Sequence, residues 1–123
     1  MSETEYVKAF MASSAIALPN LRLFRRNVGA IQMRGRVFRA GLPGQADMYG
    51  YERGTGRAVE IEAKLKSKLS PDQERWRDWC QAWGVLWLLI EARRGETRGA
   101  TVARWIAELR AAMAMACLAK ERA

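Results

Sequence analysis

Apolar positions first recur at Tyr6, Val7, Phe10 and Met11, the spacing of one helical face. Ser2-Glu3-Thr4-Glu5 fits a capping box ahead of them, so a helix over residues 3–17 is predicted, stopped by Pro19-Asn20. From Leu21 to Asn27 apolar and basic residues alternate, the pattern of a strand, and Gly35 to Ala40 is a second short strand candidate. Gly41-Leu42-Pro43-Gly44 is a turn. Two further runs, 46–52 and 57–64, flank Arg53-Gly54-Thr55-Gly56 and predict a β-hairpin. The period of two puts Glu60, Glu62 and Lys64 on one face of its second strand.

Ser70-Pro71-Asp72-Gln73 is a helix start, with Ser as N-cap, Pro at N1 and Gln at N3. Trp76, Trp79, Cys80 and Trp83 follow at helical spacing and read as one buried stripe, a better fit to core packing than to base stacking. Gly84 ends that helix. Val85 to Glu91, continuously apolar up to its last residue, predicts a strand covered on both faces. A loop over 92–99 precedes a long helix from about Thr101 to Lys120, with Val102, Ile106, Leu109 and Met113 on its apolar side. The expected order is α-β-β-β-β-α-β-α, an α/β or α+β domain around one central mixed sheet.

A chain of 123 residues, half of them apolar, is one domain with a real core. Its longest apolar run, Trp83 to Ile90, is eight residues, well short of the ~18 a membrane span needs. Glu3 and Glu5 precede the first apolar residues, unlike a secretory signal, so a cytosolic protein is expected. The net charge of +8 points to a polyanionic partner, nucleic acid above all. The two cysteines, Cys80 and Cys117, sit in apolar helical stretches and read as buried thiols. The absence of histidine excludes Ser-His-Asp and Cys-His catalysis and His-containing zinc sites. Any metal must then be held by oxygen ligands, which favours Mg²⁺ or Mn²⁺. No organic cofactor is expected.

The chemistry concentrates on the hairpin. A loop closed at Gly54-Thr55 places Asp47 directly opposite Glu62, where like charges are destabilising unless something neutralises them. A divalent cation is the usual remedy. Phosphodiester hydrolysis needs activated water and stabilised oxygens, and carboxylate-bound Mg²⁺ supplies both. Asp47 and Glu62 are therefore the expected metal ligands, with Lys64 positioned to orient the nucleophile or neutralise charge. The main-chain carbonyl of Ala63 is a natural further ligand. For Glu60, Glu62 and Lys64 the competing reading is a solvated strand face with alternating charge.

Three segments together, Gly41-Leu42-Pro43-Gly44-Gln45-Ala46-Asp47, Glu60-Ile61-Glu62-Ala63-Lys64 and Leu69-Ser70-Pro71-Asp72-Gln73, resemble the virus-type replication-repair nuclease (VRR-NUC) domain of the PD-(D/E)xK nuclease superfamily. The stretch Arg22 to Gly29 is similar to the Arg-rich segment of standalone phage members, and the likeness spans roughly residues 3–91. Residues 92–123, the loop and final helix, extend the same domain outside it. The resemblance implies a restriction-endonuclease-like core and Mg²⁺- or Mn²⁺-dependent cleavage of DNA, with Asp47 and Glu62 as metal ligands and Lys64 as the catalytic lysine. Gln73 matches a glutamine that assists the family's site. The family also uses a glutamate from its first helix; if Ser2 caps that helix Glu5 is engaged in the cap, which leaves Glu3.

Standalone members resemble homodimeric Holliday-junction resolvases in DNA repair, so a structure-selective endonuclease on branched DNA is expected. A non-catalytic nucleic-acid-binding module on the same fold is the alternative. The chain departs from the pattern at Gln45-Ala46, where the superfamily motif has proline before the acid, and at Arg26, often asparagine in phage relatives. Arg22, Arg25, Arg26, Arg34, Arg36 and Arg39 are the expected phosphate contacts.

Overall fold

The computed structural model describes residues 2–26, 30–39 and 41–122, and the backbone alone for 30–33, 36–39 and 120–122. The elements run α1 (Glu3–Ala17), β1 (Leu21–Arg25), β2 (Ala30–Met33), β3 (Arg36–Arg39), β4 (Met48–Glu52), β5 (Ala58–Lys64), α2 (Pro71–Ala82), β6 (Leu86–Glu91) and α3 (Arg98–Arg122). The order within the main sheet is β1-β4-β5-β6. β1 and β5 each lie antiparallel to β4, and β6 runs parallel to β5. The protein is thus α/β, with a four-stranded mixed sheet and three helices flanking it.

Both helix starts follow from their capping boxes. Ser2 and Glu5 satisfy each other's backbone N–H groups at α1, and Ser70 and Gln73 do the same at α2. α1 and α3 pack against each other and cover one face of the sheet, and α2 covers the other. Val7 and Phe10 of α1, Met48 of β4, Val59 and Ile61 of β5, and Trp105 and Leu109 of α3 are buried between the α1/α3 layer and the sheet. The indole of Trp105 meets the ring of Phe10 edge-on and donates a hydrogen bond to the Glu91 carbonyl, so its polar edge is satisfied inside the core.

Four expectations need correction. Residues 36–39 form a strand, but it pairs with β2 in a separate two-stranded hairpin instead of joining the main sheet. β6 does meet α3 on one face and α2 on the other, but as an edge strand it is less buried than its apolar run suggests: only Ile90 is fully buried, and Leu86 to Leu89 are half-exposed. Cys80 is buried, whereas Cys117 faces solvent on the last turns of α3. The tryptophans of α2 do not form a buried stripe, because none of the described residues covers the outer side of the helix: Trp79 is 47% and Trp83 74% exposed. The stripe at that spacing is real, but only Cys80 within it is fully buried.

The hairpin register came out as expected. Met48 pairs with Ile61 and Tyr49 with Glu60, which continues outward to Asp47 opposite Glu62. Upstream of Asp47 the Gly-Leu-Pro-Gly turn is locked onto the first turn of α2. Gly44 has φ +84°, and a Cβ there would collide with the Asp72 carbonyl and the Gln73 amide. Gly44→Ala should therefore destabilise the fold by more than about 1 kcal/mol, since both the left-handed backbone and the close approach are lost. Denaturant titration checks this, with Gly54→Ala, left-handed but in open space, as the milder control.

Candidate metal and nucleic-acid site

β4 and β5 part beyond the Met48–Ile61 pair, and two carboxylates fill the fork. The Asp47 N–H donates to Glu62 Oε2 at 3.2 Å, and the Ala63 N–H donates to Asp47 Oδ2 at 2.9 Å. Each acid thus caps an amide that the ladder no longer serves. An extended residue directs its N–H and C=O to the same side of its strand, so the Ala63 carbonyl faces this fork as well. Glu62 is 3% exposed, which overturns the reading of Glu60, Glu62 and Lys64 as a solvated face. Gln73 Nε2 donates to Glu62 Oε1 at 2.9 Å, and Lys64 Nζ lies 3.8 Å from that same oxygen.

Gln73 serves two ends at once. Its Oε1 accepts from the Ser70 N–H at 2.9 Å to close the capping box, while its amide nitrogen holds Glu62. A glutamate there would cap equally well but would set a third carboxylate against Glu62.

Burial, and next the negative charge of Asp47, push the Glu62 carboxyl up to about 8; Lys64 and the Asp47 amide oppose this. The Glu3 carboxyl is also raised, by partial burial and then by Asp47, with Lys64 and Arg25 opposing. Glu5 is held in the cap by Ser2, so Glu3 is the helix acid that shares the field of Asp47 and Lys64. Among the described residues no three Asp, Glu, Cys or His side chains converge into a ready cage. The donor set at the fork is two carboxylates and one carbonyl, all oxygen, which fits a hard cation completing its shell with water or substrate oxygens.

Glu60 has a different fate. Arg26 grips it bidentately, Nη1 to Oε1 at 2.5 Å and Nη2 to Oε2 at 2.8 Å, and Trp76 Nε1 donates to Oε1 at 2.9 Å. Arg26 Nη1 also donates to the Ala46 carbonyl, just before Asp47. Its guanidinium, with the side chain 16% exposed, is thereby committed to pinning β1 and the pre-Asp47 segment to β5, and the geometry does not support the expected phosphate contact. Sequence reasoning missed this clamp, although an Arg at the end of a strand and an acid in the next but one are the only signals available for it. Burial, then the charge of Glu60, push the nearby Cys80 thiol up to about 12 and keep it protonated.

Among the other arginines, Arg22 is exposed beside the Phe24 ring, Arg25 donates to Thr4 Oγ1 at the start of α1, and Arg34 is exposed in the β2–β3 turn. The side chains of Arg36 and Arg39 lie outside the described residues.

Two outcomes follow. Arg26→Ala should cost about 3–5 kcal/mol in denaturant unfolding because it strands a buried carboxylate, whereas Arg22→Ala should change stability by less than about 0.5 kcal/mol. Second, Glu62 titrates near 4.5 when unfolded and near 8 when folded. Between those values the folded chain retains a proton that the unfolded chain has lost, so stability falls as pH rises through the window. Glu62→Gln should flatten that decline in metal-free melting curves recorded from pH 5 to 8.

No family model matches this chain, and comparison with curated proteins gives no match.

Proposed function

We propose that the protein is a metal-dependent nuclease with a restriction-endonuclease-like core, hydrolysing phosphodiester bonds in branched or otherwise structured DNA. The observation that carries this reading is the pair of interlocked carboxylates at the strand fork, with an ammonium group 3.8 Å from one of them. A pair this close, in a site dry enough to raise a carboxyl to about 8, gains from a bound divalent cation. Asp47, Glu62 and the Ala63 carbonyl would hold Mg²⁺ or Mn²⁺, with Glu3 contributing negative charge from the start of α1. The bound ion supplies charge neutralisation at the phosphate and activation of water near neutral pH.

The chain's own groups do the rest. Gln73 fixes the Glu62 carboxylate in orientation. Lys64 offers a positive charge to the attacking water and to the phosphoryl oxygens as negative charge builds on them. Arg22, Arg25 and Arg34, with the overall charge of +8, favour docking on a polyanion. Among the described residues no helix is long and apolar enough to cross a membrane, which is compatible with the cytosolic setting such an enzyme would occupy. A homodimer would set two such sites about a two-fold axis, as cleavage of a symmetric junction requires.

A second reading keeps the fold and the charge without chemistry. It draws on the same hydrogen bonds: both carboxylates already satisfy backbone amides, so they also serve as a structural plug at the fork. Cleavage of four-way junction, flap, single-stranded and duplex DNA with Mg²⁺, Mn²⁺ or chelator separates the two. Asp47→Ala and Glu62→Ala should each lower cleavage by more than about a hundredfold, abolish Mn²⁺ uptake in calorimetry and leave DNA affinity nearly intact. Undiminished cleavage by either variant refutes the ligand assignment.

A further inference from the structure

The outer side of α2 carries an aromatic track that the hydrolytic reading does not use. Trp83 stacks on Trp79 with ring centroids 6.0 Å apart and planes 29° from parallel. Trp79 stacks on Trp76 at 4.8 Å and 19°. The Arg26 guanidinium lies 5.9 Å from the Trp76 ring and 4.7 Å from the Tyr49 ring, bridging helix to sheet. Tyr49 stacks on Phe24 at 5.4 Å, and Arg22 closes the far end 5.7 Å from Phe24. The row therefore runs unbroken from the end of α2 to the edge strand β1.

Three of its rings are substantially open to water: Phe24 at 39%, Trp79 at 47% and Trp83 at 74%. Trp79 lies between the other two indoles, so Trp83, at the end of the row, has its outer face free of the other rings. Beside the track, Leu42, Pro43, Asp72, Arg75, Trp76 and Trp79 line an open cleft of about 400 Å³. That cleft lies between the Gly-Leu-Pro-Gly turn leading to Asp47 and the helix bearing Gln73. Lys66 and Lys68, both exposed, stand between the end of β5 and the start of α2.

We propose that this track binds single-stranded nucleic acid: one unpaired base stacks on the outer face of Trp83 and extends the row, and its neighbour lies against the exposed edge of Trp79 at the cleft. The proposal rests on the reading of the chain as a nucleic-acid enzyme and narrows its substrate to DNA that carries unpaired bases. Aromatic faces interleaved with basic side chains are what such strands require, since every base offers a π-face and every linkage a negative charge. A second copy of this chain is the poorer occupant. Isologous pairing would bring together two chains that each carry a net charge of +8, whereas a polyanionic strand is attracted by that charge.

The test titrates the intact protein, in chelator, with a 12-nucleotide dT oligomer and with duplex of equal length, following tryptophan fluorescence. Wild type should be quenched by the single strand. Trp79→Ala and Trp83→Ala should each weaken single-strand binding at least about fivefold, Trp79→Phe and Trp83→Phe should retain most of it, and duplex affinity should stay unchanged. The two Ala variants should melt within a few degrees of wild type, because both rings lie at the surface.

Equal binding by wild type and the Trp79→Ala, Trp83→Ala double variant overturns the proposal. So does a double variant that binds normally but changes oligomeric state in sedimentation, which would assign the face to self-association. Asp47→Ala keeps the tests apart. Quenching by dT without cleavage by any form supports the track and removes the nuclease, whereas metal-dependent cleavage with no quenching does the reverse.

Discussion

The structure turns on one electrostatic constraint: two carboxylates are brought together in a nearly dry fork between β4 and β5, with the Lys64 ammonium group close to one of them. Neither acid can leave. Asp47 is tied to the Ala63 amide, and Glu62 to the Asp47 amide and to Gln73. The Gly44 contact holds the turn before Asp47 against the same helix start that presents Gln73. The fork is consequently a preorganised oxygen site whose negative charge is relieved either by a proton on Glu62 or by a cation.

Glu60 and Glu62 show how environment divides two like residues on one strand face. Both are buried, two residues apart, and both look across at β4. Glu60 is neutralised by a bidentate guanidinium and an indole N–H, a closed arrangement with nothing left to bind. Glu62 has a neutral amide and a lysine at 3.8 Å, so its charge is undercompensated and its carboxyl is displaced to about 8. The first arrangement fixes structure. The second is the kind of perturbed group that functional sites collect.

The clamp and the track meet in Arg26. The same guanidinium that neutralises Glu60 lies between the Trp76 and Tyr49 rings and joins the helix-borne aromatics to those on the sheet. An arginine suits this place because it can hydrogen-bond in its plane while its faces rest on rings. α2 thus links three parts of the molecule: its first turn orients Glu62, its last turn buries Cys80, and its outer side exposes stacked indoles.

Local sequence settled whatever depends on near neighbours. Both capping boxes, the hairpin and its register, and the facing of Asp47 and Glu62 follow from turn residues and from a period of two, which need no distant contact. The Gln73 cap was equally legible. Packing decided the rest. The spacing of Trp76, Trp79 and Trp83 marks one side of a helix but says nothing of whether a layer covers it, and Trp79 and Trp83 prove to be exposed. Val85 to Ile90 reads as a doubly covered strand, yet its place at the sheet edge leaves it half open. Arg26 reads as one more surface cation until β1 and β5 are set on either side of β4, which brings a buried Glu60 within its reach. Alternation places an acid on a face; only the assembled layers determine whether that face meets water, a guanidinium or another carboxylate.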